Sequence, residues 1–317
     1  MQESEVQRPT PAVEVKGLRK EFRGLAAVDG LDLEVRAGEL LGLVGPDGAG
    51  KTTTLRLLAT IMLPTGGGGR VLGLDMVRDA EAIKRRIGYM PQRFSLCGEL
   101  TVQENIEFFA DIFHVFGRER EERFRQLLEF SQLGPFRDRP ARDLSGGMKQ
   151  KLALSCALIH TPEVLFLDEP TTGVDPVSRR ELWKLLLQLW RRGATLIIAT
   201  PYMDEAERCE RIGFMQRGRL LDADAPARLK ERCPFQVVEL ACEESRRARA
   251  LIARQPGVKG VEVFGDRLHV KVDGAEQWVP RLRRLLAEAG IAAGAAAQVP
   301  PSIEDVFLHL ARGDRAS

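Results

Sequence analysis

Over residues 13 to about 44, short apolar segments alternate with turns, as in Val13-Glu14-Val15, Leu31-Asp32-Leu33-Glu34-Val35 and Leu40-Leu41-Gly42-Leu43-Val44. The pattern predicts strands, read as an antiparallel layer ahead of a glycine-rich loop. Beyond that loop the pattern changes to βα units. A helix is expected from Lys51 to about Ile61, and strands at Ile87 to Met90, Val164 to Leu167 and Ala194 to Ala199. Helical patterns separate these strands, so a mostly parallel sheet is implied. From Thr101 to Pro140 strand signals vanish. Val102, Ile106, Phe109 and Ile112-Phe113 recur at helical spacing, and an Arg/Glu-rich helix follows from about Arg118. This reads as an inserted helical subdomain, about 95–145, with Phe108, Phe109, Phe113 and Phe116 expected in its core.

After Cys233-Pro234 a new pattern opens. It predicts a strand over Phe235 to Leu240 and a helix over Glu243 to Arg254. A hairpin of Val258 to Phe264 with Arg267 to Val272 turns at Gly265-Asp266, and helices follow from Trp278 to Ala289 and from near Ser302. These make a small α+β unit.

Composition narrows the picture. At 317 residues the chain exceeds one average domain, and two units of unequal size are expected. A formal charge of +2 points to no nucleic-acid partner. The most hydrophobic stretch, Leu152 to Leu167, is broken by Ser155, His160, Thr161, Pro162 and Glu163, so no membrane-crossing helix is expected. Met1 to Pro11 is polar and acidic, unlike a secretion signal, and a cytoplasmic location is expected. The cysteines at 97, 156, 209, 233 and 242 show no paired spacing and are read as reduced thiols, with Cys156 in the core.

The chemistry begins at Gly45-Pro46-Asp47-Gly48-Ala49-Gly50-Lys51-Thr52-Thr53, which fits the phosphate-loop pattern and sits between a predicted strand and a predicted helix. Its glycines let the backbone approach phosphates, and its N–H groups and the helix N-terminus form an anion cradle. Lys51 is placed for the β and γ phosphates, Thr52 for Mg²⁺ and Thr53 for the α-phosphate. Leu144-Ser145-Gly146-Gly147-Met148-Lys149-Gln150 opens a helix that Ser145 is suited to cap. Val164 to Pro170 then delivers Asp168 and Glu169 at the C-terminal end of a strand, where open α/β sheets bind ligands. Asp168 suits a metal ion and Glu169 a water molecule.

Taken with Tyr89-Met90-Pro91-Gln92 and Gly173-Val174-Asp175-Pro176, these segments resemble, in order and spacing, the ATP-binding cassette (ABC) family over residues 13 to about 230. The resemblance implies an α/β fold: an ABC-type phosphate-loop nucleotide-binding domain at 13–233, with a mixed sheet and the helical subdomain. A flexible N-terminus, 1–12, would precede it and the small α+β domain, 234–317, would follow. It implies ATP and Mg²⁺ as ligands, with Thr52, Asp168 and Gln92 toward the metal, Glu169 as general base, and Gln92 at the metal or the attacking water. Phe22 looks like the aromatic that stacks on adenine, its other reading being a core residue of an early strand. Ser145 and Gly147 would contact the γ-phosphate held by an opposing nucleotide-binding domain, and Asp175 would lie at that interface.

Tyr202-Met203-Asp204-Glu205-Ala206-Glu207 and Pro301-Ser302-Ile303-Glu304-Asp305-Val306-Phe307-Leu308 resemble the ATPase subunits of daunorubicin- and multidrug-type exporters. Such subunits lie on the inner face of the cell membrane, pair with a separate polytopic permease, and work as homodimers or with a paralogous ATPase. One departure stands out. Where the family usually carries a γ-phosphate-contacting histidine after Thr200, this chain has Pro201, which offers neither a side-chain donor nor an N–H. A site that binds ATP but turns over slowly is the expectation. Against the transport reading stands a non-transport or regulatory ABC ATPase that signals by ATP occupancy.

Overall fold

A computed structural model describes residues 11–93 and 96–316. All but the last two residues of the expected N-terminal tail, 1–12, lie outside the described residues. The chain divides into compact units between Ala223 and Asp224, a short way ahead of the boundary read from the sequence.

The first unit runs β1 (Val13–Phe22), β2 (Leu25–Val35), β3 (Leu40–Val44), α1 (Lys51–Leu58), β4 (Gly66–Val71), β5 (Leu74–Asp75), α2 (Ala80–Lys84) and β6 (Ile87–Met90). It continues through α3 (Val102–Ile112), α4 (Gly117–Ser131), α5 (Gly146–Leu158), β7 (Val164–Asp168), α6 (Pro176–Arg191), β8 (Thr195–Thr200), α7 (Met203–Ala206), β9 (Arg211–Gln216) and β10 (Arg219–Asp224). Two sheets result, ordered β2-β1-β4-β5 and β10-β9-β3-β8-β7-β6.

The antiparallel layer exists, but Leu40–Val44 is not part of it. β3 pairs in parallel with β8 and β9 at the centre of the larger sheet. The reason lies in its composition: every residue of β3, β7 and β8 is buried, as a strand covered on both faces requires. Successive side chains enter opposite cores. Leu41, Leu43, Val164, Phe166, Ile197 and Ala199 join the core containing α1. Leu40, Leu165, Leu167, Leu196 and Ile198 join the one containing Leu182 and Trp183 of α6. At about 1.5–3 kcal/mol for each large apolar side chain buried, this double covering outweighs any strand preference of the residues themselves.

A third core gathers Val102, Ile106, Leu128, Leu152 and Cys156 from α3, α4 and α5, with Leu144 from the segment leading into α5, to form the helical subdomain. Phe109 and Phe113 pack against it, but Phe108 and Phe116 are 53% and 57% exposed, contrary to the core reading of all four. Phe109 and Phe113, four residues apart, share the inner face, whereas Phe108 points from another side of α3 and Phe116 lies beyond the helix end, at the start of α4. The helix after the phosphate loop stops at Leu58 rather than near Ile61, where Thr60 adopts φ 56° and ends it.

The second unit carries α8 (Pro226–Glu231), β11 (Gln236–Cys242), α9 (Ser245–Ile252), β12 (Val258–Phe264), β13 (Arg267–Val272), α10 (Ala275–Glu288), β14 (Ala293–Val299) and α11 (Ile303–Ala316). Its sheet has the order β12-β13-β11-β14, and the expected hairpin turns at Gly265, φ 61°. Val238, Leu240, Leu268 and Val270 face α9 and α10. The alternate positions are polar: His269 Nδ1 meets Asp305 Oδ2 of α11 at 2.7 Å, its Nε2 meets Glu239 Oε2 at 3.4 Å, and Lys271 Nζ donates to the Asp305 carbonyl at 3.0 Å. Burial disfavours the His269 imidazolium, but its hydrogen bonds and the charges of Asp305 and Glu239 prevail and raise its pKa above the ordinary 6.5. Asp305 is lowered despite its burial, by the hydrogen bonds from His269 and Ser302.

The sign of the pH dependence follows. A group whose folded pKa is raised gives stability that is complete below the unfolded value and is lost as pH rises through the folded one. Thermal melts of the chain should therefore show this unit weakening as pH rises above 6.5, and His269→Gln should flatten that slope. A slope unchanged by the substitution would place its origin elsewhere.

Candidate functional site

The parallel strands β3, β6, β7 and β8 run in one direction, so their C-terminal ends share one edge of the sheet, and there the predicted motifs converge. The loop of residues 45–50 leaves the end of β3 and enters α1. Glycine is required at both of its ends. A Cβ on Gly45 would lie 2.1 Å from the Met215 carbonyl oxygen. One on Gly50, which has φ 102°, would lie 2.4 Å from that of Ala27.

Lys51 is 4% exposed, and its ammonium donates to the carbonyls of Gly45 at 2.7 Å and Pro46 at 3.0 Å. Burial lowers its pKa, opposed by the charges of Glu169, Asp47 and Asp168. Glu169 Oε1 stands 3.9 Å from the ammonium.

Thr52 Oγ1 donates to Asp168 Oδ1 at 2.8 Å, and Tyr89 OH reaches Asp168 Oδ2 at 3.4 Å. Burial pushes the Asp168 carboxyl above its ordinary range. The Thr52 hydroxyl opposes that shift and the Glu169 charge adds to it. Gln92 Nε2 donates to Glu169 Oε2 at 2.8 Å, and Thr172 Oγ1 reaches the same oxygen at 3.1 Å. Glu169 is itself strained, with φ 49°, while its N–H is fixed to the Ala199 carbonyl at 2.9 Å. Such a backbone costs on the order of 1–3 kcal/mol and tends to occur where a side chain must be aimed. A hydroxyl, a carboxylate and an amide oxygen are a donor set of the kind a hard divalent ion accepts beside phosphate oxygens.

Asp47 to Thr53, Gln92 and Glu169 line one cavity of about 750 Å³, together with Leu25, Ala26, Ala27 and Arg217. Phe22 does not line it. This side chain ends β1, is 45% exposed, and carries the Lys20 ammonium 5.2 Å from its ring centre, so it is not the core residue that was its other reading.

The remaining predicted residues form a separate group. Ser145 caps α5, accepting from Met148 N at 3.3 Å. Gly147 is buried, and a Cβ there would stand 2.4 Å from Ser178 Cβ, so its bareness lets α5 and α6 touch. Asp175 caps α6, accepting from the N–H groups of Val177 and Ser178 at 3.0 Å, and the Ser178 hydrogen bonds hold its carboxyl below the usual range. Neither Ser145, Gly147 nor Asp175 lines the phosphate-loop cavity.

Pro201 follows the last residue of β8, Thr200, which lies opposite Val44 of β3, and no histidine lines the cavity. The segment after it is tied down by a carboxylate that sequence reasoning overlooked. Glu205 is fully buried and accepts from Thr171 Oγ1 at 2.6 Å, Thr200 Oγ1 at 2.7 Å and Arg179 Nε. The Arg179 guanidinium also lies 4.2 Å above the Tyr202 ring. Arg217 was likewise overlooked, because β9 and β10 carry no motif. The signal was present in Arg211-Ile212-Gly213-Phe214-Met215 followed by Arg217-Gly218, an apolar run and a two-residue turn.

Known proteins resemble this chain over most of its length. Residues 28–172 match the family model described as ABC transporter. The chain is 47% identical over 221 residues to the probable multidrug ABC transporter ATP-binding protein YbhF of Escherichia coli (strain K12), a match covering 69% of this chain but only 38% of that protein. It is 38% identical to the daunorubicin resistance ATP-binding protein DrrA3 of Streptomyces coeruleorubidus, covering 96% of this chain and 97% of the relative. Similar coverage, 94% and 96% at 38% identity, relates it to the Nod factor export ATP-binding protein I of Rhizobium sp. (strain N33). Among solved structures it is similar to the dimeric post-hydrolysis state of the ATP-binding cassette MJ0796 bound to ADP and Pi, with a TM-score of 0.62, 26% identity, and coverage of 67% of this chain and 98% of that one.

The steric limits at the loop give a direct expectation. Gly50→Ala should lower unfolding stability by at least about 1 kcal/mol, because a Cβ meets the Ala27 carbonyl in a backbone that L-residues avoid. Urea unfolding reads the loss, and an unchanged midpoint would contradict it.

Proposed function

The chain belongs to the ABC transporter family of ATP-binding proteins, a family that generally hydrolyses ATP, and from that premise we propose that it powers a separate membrane permease in an exporter. The observation carrying this reading is the meeting of Lys51, Thr52, Gln92 and Glu169 at one cavity, with Asp168 hydrogen-bonded to Thr52. Relatives named for drug resistance and Nod factor export support an export role.

ATP would lie with its phosphates along residues 45–53, where the backbone N–H groups and the Lys51 ammonium neutralise charge developing in phosphoryl transfer. Thr52, Asp168 and Gln92 would hold Mg²⁺, which, when bound, supplies electrostatic stabilisation of the transferring phosphoryl group. Glu169 is aimed by Gln92 and Thr172 and accepts the proton of a water attacking the γ-phosphorus in line, with ADP leaving.

Ser145, Gly147 and Asp175 lie outside this cavity. That suits a role toward a nucleotide held by an opposing domain, either a second copy of this chain or a paralogous ATPase. Docking of the permease is supported by an apolar groove of about 550 Å³ bounded by Ile61, Tyr89, Ile112, Phe113 and His160, where the helical subdomain meets the core sheet. Among the described residues no helix is long and apolar enough to cross a membrane. A place on the inner membrane face beside a permease fits that observation.

Pro201 favours a second reading, in which occupancy rather than turnover is the signal. Loss of one preorganised donor to developing charge commonly costs on the order of a hundredfold in rate.

Two substitutions test these assignments. Glu169→Gln should leave ATP affinity within about twofold while suppressing phosphate release by on the order of a hundredfold or more. Parental hydrolysis in that variant would remove Glu169 as the base. Pro201→His should raise the steady-state rate of the purified chain at least about tenfold. Vigorous wild-type turnover that the histidine leaves unaltered would show that the site is not slowed.

A further inference from the structure

Resting on the nucleotide-binding reading above, we propose that Arg217 is a phosphate-binding residue of the same site, contributing a second cation beside Lys51.

β9 and β10 are neighbours joined by two residues, Arg217 and Gly218, with φ 49° and 81°. Positive φ at both positions marks the turn that suits tightly twisted hairpins, and Asn, Asp or Gly fill its first position at least cost. Here that position holds an arginine. The turn is pinned against the phosphate loop: Gly218 N–H donates to the Ala49 carbonyl at 2.9 Å, and the Gly218 carbonyl accepts from Asp29 N–H at 2.9 Å. A Cβ on Gly50 would lie 3.2 Å from the Gly218 Cα, so the fit between turn and loop leaves no spare room.

Arg217 lines the cavity with residues 47–53. It is solvent-exposed, and among the described residues it forms no hydrogen bond or ion pair. Its neighbour Arg219, by contrast, is clamped to Asp29 Oδ2 at 2.8 and 3.0 Å. The charged residues lining the cavity are Asp47, Lys51, Glu169 and Arg217. Lys51 is already held by two backbone carbonyls and faces Glu169, and without Arg217 the lining would carry two carboxylates against one ammonium, unfavourable to a polyanion.

An unpaired guanidinium beside a phosphate-binding loop is the complement a triphosphate needs, since its fork binds phosphate oxygens by charge-assisted hydrogen bonds. Phosphate is favoured over the base because the turn is bonded to Ala49 within the loop, whereas Leu25, Ala26 and Ala27 supply the apolar wall.

The test is calorimetric titration of the full chain with ATP and with adenosine, using Arg217→Asn. Asparagine accepts the left-handed backbone, so the thermal midpoint should hold or rise, which separates a binding defect from a folding one. ATP affinity should fall about tenfold, the loss of one charge-assisted hydrogen bond, while adenosine affinity stays the same. Unchanged ATP affinity, or an equal loss with adenosine, would overturn the assignment. Lys51→Ala is run in parallel. If it binds ATP as the wild type does, the phosphate-loop reading itself fails. If Lys51→Ala loses ATP while Arg217→Asn keeps it, only the Arg217 assignment fails.

Discussion

The nucleotide end of this molecule depends on keeping the Lys51 ammonium charged where water scarcely reaches. Burial alone pulls its pKa down, and an isolated ammonium there would shed its proton rather than stay. Two sets of groups hold it: the carbonyls of Gly45 and Pro46, turned inward by a loop that bends only because its ends are glycine, and the carboxylates of Glu169, Asp47 and Asp168. Asp168 ends β7 and Glu169 follows it, so Lys51 needs β3 and β7 at a fixed spacing. β8 sets that spacing by pairing with both.

The same logic of compensated buried charge recurs one strand away. Glu205 lies fully buried and tolerates it because Thr171, Thr200 and Arg179 all donate to it. Three segments are thereby stitched together: the turn after β7, the end of β8 and the first turns of α6. The proline at 201 sits inside this stitching, so its backbone is held whether or not its side chain takes part in chemistry.

Much of this was legible in the sequence, for identifiable reasons. Lys51, Thr52, Asp168, Gln92 and Glu169 sit in motifs whose spacing is dictated by strand-loop-helix geometry, and the structure brings all five together. Leu40–Val44 was misassigned to the antiparallel layer because a short apolar run carries no mark of its pairing partners, which come from residues 195–214. Phe22 was ambiguous for another reason. An aromatic at a strand end alternates between faces with a one-residue change in register, and β1 has several register shifts. Glu205 and Arg217 escaped notice because their roles come from contacts far apart in sequence, and no local pattern encodes a partner that distant.

The bond from Arg179 to Glu205 has a mechanical consequence. Asp175 and Arg179 sit one turn apart on α6, with the Arg179 N–H bonded to the Asp175 carbonyl at 2.9 Å. The guanidinium then grips Glu205 and covers Tyr202. The two loops, one carrying Asp175 and one leading from Pro201 to Tyr202, are thereby joined through a single residue, Arg179.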